Sequence, residues 1–146
     1  SPEWRTTGYI CFMGSMTTGR MFSDNLINYW GARKQLVLSG LVVTLGLIIA
    51  TIYPNLLVSS IGFMLVGFGV SSVIPTIYGT VGKTTEPSQV SIALASVSSV
   101  GFFGFLIGPP IIGFLSQAIG LRWAFLTVGT LGIITALRAN QLKKYL

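Results

Sequence analysis

The sequence predicts an all-α integral membrane protein with five transmembrane helices, and two observations support this prediction. First, 51% of the 146 residues are hydrophobic and only 8% are charged, whereas soluble domains carry about 25% charged residues. Second, residues 35–82, 87–121 and 123–137 contain no charge at all. Since a helix needs about 20 apolar residues to cross the hydrocarbon core of a bilayer, these tracts hold several crossings.

We predict a single partial transmembrane domain over residues 1–146, with crossings at about residues 6–28, 35–53, 56–81, 91–117 and 121–138. Local signals define the breaks between them. Proline lacks an N–H donor and disfavours helix in the preceding residue, so Tyr53-Pro54-Asn55 ends the second crossing. Pro87 suits the first turn of the helix that follows the polar segment 83–88.

The basic residues predict the orientation, because cytoplasmic loops carry an excess of lysine and arginine. Six of them fall on one side of the membrane and two on the other. The six are Arg33, Lys34, Lys83, Arg138, Lys143 and Lys144, and the two are Arg5 and Arg122. We therefore expect a multi-pass protein of the inner, or plasma, membrane, with its N-terminus outside and its C-terminus in the cytoplasm.

Composition also excludes several classes of function. The net charge of +6 comes from basic residues scattered between apolar spans, so nucleic acid is not expected as a partner. With no histidine, three acidic residues and Cys11 alone in an apolar segment, the sequence offers no catalytic or metal site. We expect no enzymatic activity and no cofactor. Because the chain begins at Ser1 rather than methionine, we interpret it as a fragment or a processed product.

Small residues and prolines inside the predicted helices indicate close packing. In lipid, glycines let two helix backbones approach each other. The segment 104–113 has this composition, and we assign Gly104, Gly108, Pro109 and Gly113 to a helix-packing surface. Pro75 is expected to bend the third crossing and to free a backbone carbonyl that a group in the cavity could use. The alternative is that the bend has a structural role alone.

An internal repeat supports more than packing. A shift of the sequence by 89 residues aligns four residues near the N-terminus with four identical residues near the C-terminus. The first set is Gly19, Gly31, Arg33 and Gly40, and the second is Gly108, Gly120, Arg122 and Gly129. Inverted repeats are a feature of transporter folds. Four identities, three of them between glycines, leave coincidence as the alternative.

Two charged residues inside the first predicted crossing require an explanation. Arg20 and Asp24 are four residues apart, so they share one face of a helix. A charge in hydrocarbon costs several kcal/mol unless it is paired or reaches the interface. The functional hypothesis is a cytoplasmic latch that parts when the cytoplasmic side opens. The alternative is a static ion pair with ordinary basic anchors, Arg33 and Lys34, in the following loop.

These residues resemble the loop signature of the major facilitator superfamily, a glycine, an aspartate, and then a glycine followed by basic residues. The matching positions are Gly19, Arg20, Asp24, Gly31, Arg33 and Lys34. The segment 101–115, GFFGFLIGPPIIGFL, is similar to the Gly-Pro helix motif of that superfamily. Segment 67–83 is followed by this GPP helix and then by GLRWAF. This order resembles the C-terminal half of fucose-permease-like and related bacterial members. One departure is Asn25, which follows the aspartate where the family has a basic residue.

The resemblance implies helices eight to twelve of a twelve-helix secondary transporter that moves a small polar solute by alternating access. The chain would lack the N-terminal half of such a transporter. The implied partners are therefore the lipid bilayer and either that N-terminal half or another copy of this chain. A proton or Na⁺ is the implied coupling ion. The residues expected to face the solute, or else to pack between helices, are Met13, Thr17, Phe68, Ser71, Ser72, Ser99 and Phe103.

A rival interpretation assigns the chain to a different class. Its glycine-rich helix faces are also compatible with a non-transporting multi-pass membrane protein that assembles or scaffolds partners.

Overall fold

The computed structural model describes residues 2–52 and 55–141, with side chains described from residue 6 onwards. These residues form helices and contain no strand, which confirms the all-α prediction. The helices are α1 (Pro2–Trp30), α2 (Ala32–Ile52), α3 (Leu56–Ser71), α4 (Val73–Thr84), α5 (Val90–Ile119) and α6 (Leu121–Gln141). The predicted break at Tyr53 and Pro54 and the basic residues Lys143 and Lys144 lie outside the described residues.

Four helical segments of the described chain are long and apolar enough to cross a bilayer. They are Ala32–Ile52, Leu56–Thr84, Val90–Ile119 and Leu121–Gln141. Helix α1 has 29 residues, which also suffices in length. It is less apolar because Arg20, Asp24 and several serines, threonines and asparagines lie along it. The first predicted crossing, 6–28, falls within α1 and stays a prediction.

A repeat of structure accompanies the repeat of sequence. Gly31 alone separates α1 from α2, and Gly120 alone separates α5 from α6. Their φ angles are +80° and +88°, and they are the glycines with positive φ among the described residues. Glycine adopts this conformation readily because it has no Cβ. The shift of 89 residues also carries the bounds of α2, 32–52, onto those of α6, 121–141. The repeat is therefore a long helix, a glycine and a helix of 21 residues.

Helix α2 lies between α3 and α6 and contacts both through paired glycines. A Cβ on Gly46 or on Gly62 would lie 2.6 Å from the carbonyl oxygen of the other residue, which joins α2 to α3. A Cβ on Gly40 would lie 2.6 Å from the Gly132 oxygen, which joins α2 to α6. The backbones are thus in direct contact, as small residues permit in membrane helices.

Helix α5 contacts α4 and α6 but is poorly covered by the other described helices. None of its residues is buried. The helix is continuous through Pro109 and Pro110. A Cβ on Gly104, Gly108 or Gly113 would meet no atom within 4 Å. These three glycines are therefore not in close contact with another described helix, and the assignment of segment 104–113 to helix packing stays a prediction.

The segment 56–84 is interrupted at Ser72, where α3 ends and α4 begins. Pro75 follows three residues later and has no N–H to donate to the Ser71 carbonyl, as a helix would require. The next residue closes the turn: the Thr76 backbone N–H donates to the Ser72 oxygen over 3.1 Å, and its hydroxyl donates to the same oxygen over 2.5 Å. The interruption thus has a local cause in the sequence.

Candidate functional site

The glycine of the charged motif lies in the contact between α1 and α3. A Cβ on Gly19 would collide with the Ser71 side chain and would lie 3.2 Å from Phe68. Ser23, one turn later on the same face of α1, is fully buried. This face of α1 therefore packs inward, and the absence of a side chain at position 19 is what lets the two helices approach.

Arg20 and Asp24 lie on the neighbouring face of α1, and both side chains are exposed. Within the described residues, no ion pair joins them to each other or to another side chain. Gly19 of the motif therefore lies in a helix contact, whereas Arg20 and Asp24 are exposed and form no ion pair among the described residues.

Arg33 has a different environment from the one predicted. Helix α2 begins at Ala32, so Arg33 and Lys34 lie in its first turn and not in a loop. The guanidinium of Arg33 donates from Nη2 to Oδ1 of Asn140, near the end of α6, while Lys34 is exposed. Arg33 therefore ties the start of α2 to the end of α6.

A double-mutant cycle tests this tie. We expect Arg33→Ala and Asn140→Ala each to lower the free energy of unfolding, with a coupling of about 1 kcal/mol, because Arg33 is only half-buried and solvent weakens the bond. Chemical unfolding of the chain in detergent micelles measures both terms. Lys34→Ala is the control, because Lys34 is exposed and we expect no coupling with Asn140. Additive effects of Arg33→Ala and Asn140→Ala would contradict the assignment.

The seven residues predicted to face a solute separate into two groups. Ser71 and Ser72 are 2% and 3% exposed. The Ser71 hydroxyl donates to the Phe68 carbonyl over 2.6 Å, and the Ser72 hydroxyl lies 3.0 Å from that of Ser39 on α2. Both therefore belong to helix contacts. The other five are exposed: Met13, Thr17, Phe68, Ser99 and Phe103.

Hydroxyls that the sequence reasoning missed join neighbouring helices. The Thr44 hydroxyl on α2 has two acceptors for its one hydrogen, the Gly40 carbonyl of its own helix at 2.9 Å and the Gly129 carbonyl on α6 at 3.0 Å. Ser15 on α1 donates to the Met64 carbonyl on α3 over 2.6 Å. Interhelical hydrogen bonds of this kind stabilise membrane bundles. The available signal was the spacing of Thr44 from Gly40, one turn earlier on the face of α2 that contacts Gly132 of α6, since a small residue beside a hydroxyl lets the hydroxyl reach the next helix.

A groove of about 750 Å³ lies between α4 and α5. Its lining is mostly apolar and includes Ile74, Tyr78, Ser96, Ser98, Phe102 and Phe105. The hydroxyls of Tyr78 and Ser98 are 2.7 Å apart and join the two helices. None of these residues was among the sequence candidates, because their spacing along the chain does not show that the two helices meet there.

Comparison with known proteins identifies relatives along nearly the whole chain. Residues 4–142 match the model of the Major Facilitator Superfamily. An uncharacterized MFS-type transporter of Yersinia pestis is 36% identical over 144 residues, which cover 99% of this chain and 37% of the relative. Membrane protein MosC of Rhizobium meliloti is 33% identical, over 88% of this chain and 31% of the relative.

A more distant relative is a multidrug resistance protein B homolog of Mycobacterium tuberculosis, 28% identical over 84% of this chain and 22% of the relative. No solved structure matches the chain significantly. The chain spans about a third of the length of the first two relatives. From the match over residues 4–142, together with helices long and apolar enough to span a bilayer, the chain belongs to the major facilitator superfamily.

Proposed function

We propose that this chain is part of a secondary transporter that moves a small solute across the membrane by alternating access. The observation that carries the proposal is the superfamily match over residues 4–142. The Yersinia pestis relative, named an MFS-type transporter, supports it. The membrane is the inner, or plasma, membrane, and the basic residues favour a cytoplasmic C-terminus.

The chain supplies only part of the transporter in this proposal. It spans 37% and 31% of the first two relatives. We assign its helices to numbers eight to twelve of a twelve-helix bundle, with α3 and α4 together as one crossing. The exposed helix α5, with no buried residue, supports a solute path whose other wall comes from outside residues 2–141. The coupling ion, a proton or Na⁺, would use a carboxylate of that remainder, since Asp24 is the one acid inside a predicted crossing.

Arg20 and Asp24 form the cytoplasmic gate. Both are exposed on the C-terminal half of α1 and have no ion pair within the described residues. Charges at membrane depth are stabilised by partners of opposite sign or by water. In the state closed to the cytoplasm, a partner helix would contact these two charges. In the open state, the charges would be in water. The two states of the alternating-access cycle would then differ in free energy.

The solute path includes the five exposed candidates on α1, α3 and α5, namely Met13, Thr17, Phe68, Ser99 and Phe103. We leave Ser71 and Ser72 out of this lining because both are buried in helix contacts. The mostly apolar lining of the α4–α5 groove favours a solute with an apolar body beside its polar group.

Reconstitution tests the proposal. A full-length transporter that contains these residues is expected to accumulate its solute, identified in a binding screen, in sealed vesicles with an imposed ion gradient. The present chain, purified as a monomer and inserted in the same vesicles, is expected to show no uptake. Uptake by the isolated monomer would contradict the assignment of part of the solute path to the rest of the protein.

A second function, assembly without transport, has one observation in its favour. The glycines of α5 leave space for a close partner, since a Cβ on Gly101, Gly104 or Gly108 would meet nothing within 4 Å. The upstream reading frame separates the two functions. Seven further apolar spans would favour the transporter, and a start codon immediately before residue 1 would favour an assembly protein.

A further inference from the structure

The groove between α4 and α5 has the dimensions and composition of a ligand site. Its volume of about 750 Å³ falls within the roughly 300–1,000 Å³ of typical ligand pockets, which are apolar with a few convergent polar groups. Here the polar groups are the hydroxyls of Tyr78, Ser96 and Ser98. No charged residue is among its lining residues.

The hydrogen bonds of these hydroxyls show which polar partner the groove accepts. Ser98 donates its one hydroxyl hydrogen to the Leu94 carbonyl over 2.7 Å. In its 2.7 Å contact with Tyr78, Ser98 must therefore accept, and Tyr78 donates. Ser96 donates to the Ile92 carbonyl over 2.9 Å. All three hydrogens are thus committed within the protein, and the hydroxyls offer the groove only lone pairs.

Aromatic rings make up a large part of the remaining surface. Tyr78, Phe102 and Phe105 are 39%, 68% and 76% exposed. Aromatic faces attract cations because of their negative quadrupole. A ligand suited to this lining brings its own hydrogen-bond donor and buries an apolar body, whereas a carboxylate would find neither a donor nor a positive charge.

We propose that this groove binds an apolar aromatic solute that carries an amine or ammonium group, and that it discriminates against a carboxylate of the same size. The inference rests on the proposed transport function, because it names the class of solute. A lipid acyl chain, the other candidate occupant, needs no acceptor and would make no use of the Tyr78 and Ser98 oxygens.

Equilibrium binding to the chain in phosphatidylcholine nanodiscs tests the inference, with binding to empty nanodiscs subtracted. The probes are naphthylmethylammonium, naphthoate and methylnaphthalene, which share one fluorescent ring system and differ in charge. We expect the ammonium probe to bind at least about tenfold more tightly than naphthoate, as one hydrogen bond plus a cation–π contact implies.

Variants connect the preference to the hydroxyl oxygens. The double variant Tyr78→Phe/Ser98→Ala is expected to lose the hydrogen-bond part of the preference for the ammonium probe, severalfold in affinity, and to keep its affinity for methylnaphthalene. Ser91→Ala is the matched control, because Ser91 is an exposed serine on the same helix outside the groove. If the double variant does not insert into nanodiscs, Tyr78→Phe, which removes a single oxygen atom, provides the test and is expected to weaken ammonium binding severalfold.

Two results would overturn the inference: equal affinity for the three probes, as a lipid-chain groove would give, or a preference of undiminished size without the hydroxyls. Failure of the proposed function is distinguishable from both. If the full-length transporter moves no solute while the chain prefers the ammonium probe, the groove assignment stands and the transport proposal fails. If transport is found and the groove shows no preference, only the groove assignment fails.

Discussion

Asp24→Asn in the full-length transporter is expected to change the rate of transport by about tenfold or more while membrane insertion stays normal. The substitution removes a charge and keeps the shape of the side chain. A tenfold change corresponds to about 1.4 kcal/mol between the two states of the gate, a modest value for a charge at membrane depth. Initial uptake rates in vesicles with matched protein content provide the measurement.

Two further variants make that result specific. Asp24→Glu keeps the charge and is expected to retain most of the activity. Glu86→Gln removes an exposed acid from the connection between α4 and α5, away from α1, and is expected to leave uptake unchanged. Unaltered kinetics in Asp24→Asn would remove Asp24 from the gate and favour the static interpretation of the charges.

Gly46→Val is expected to destabilise the bundle by about 1–3 kcal/mol, the cost of forcing additional atoms into a packed contact. The new Cβ would lie 2.6 Å from the Gly62 carbonyl oxygen and 2.9 Å from the Val66 backbone nitrogen, so α2 and α3 must separate. Because the obstacle is backbone, no change of side-chain conformation relieves it. Chemical unfolding in mixed micelles measures the loss.

Gly104→Val is the matched control for that substitution. Both glycines lie inside helices of an apolar chain, so the change in helix propensity is the same. A Cβ at Gly104 meets no atom within 4 Å, so we expect little effect on the isolated chain. Equal destabilisation by the two variants would show that the α2–α3 contact is not what makes Gly46 special.

The contrast between these two glycines shows where sequence reasoning succeeds and where it stops. The spacing Gly104-x-x-x-Gly108 is a local pattern, visible without knowledge of the neighbours. A close contact also needs a partner helix turned towards it, and rotation about a helix axis is decided by the whole bundle. Gly46 and Gly62 meet because α2 and α3 present them to each other, and no local pattern shows this.

Helix ends were more accessible to prediction than helix contacts. Gly31 and Gly120 occur at corresponding positions of the sequence repeat, and both adopt positive φ between a long helix and a shorter one. Positive φ is adopted most readily by glycine, so this conformation requires a particular residue type at one position. A single sequence can therefore indicate it. The interruption before Pro75 is local in the same way.

The polar contacts of the site were not predictable, since each joins residues far apart in the chain. The sequence predicts a loop at Arg33 because it falls between the predicted crossings 6–28 and 35–53, but Arg33 lies in α2 and reaches Asn140. Tyr78 and Ser98 were not selected at all. In each case the sequence shows the chemical group, and the fold supplies the partner.

The central claim is that lipid surrounds these helices and that successive connections lie on opposite sides of the membrane. Labelling with a membrane-impermeant thiol reagent tests it most directly, in a Cys11→Ser background with single variants Lys34→Cys, Asn55→Cys, Lys83→Cys and Arg122→Cys. In intact cells, we expect positions 55 and 122 to be labelled at once, and positions 34 and 83 only after the membrane is permeabilised. Labelling of positions 34 and 55 from the same side would show that α2 does not cross, which would contradict the account.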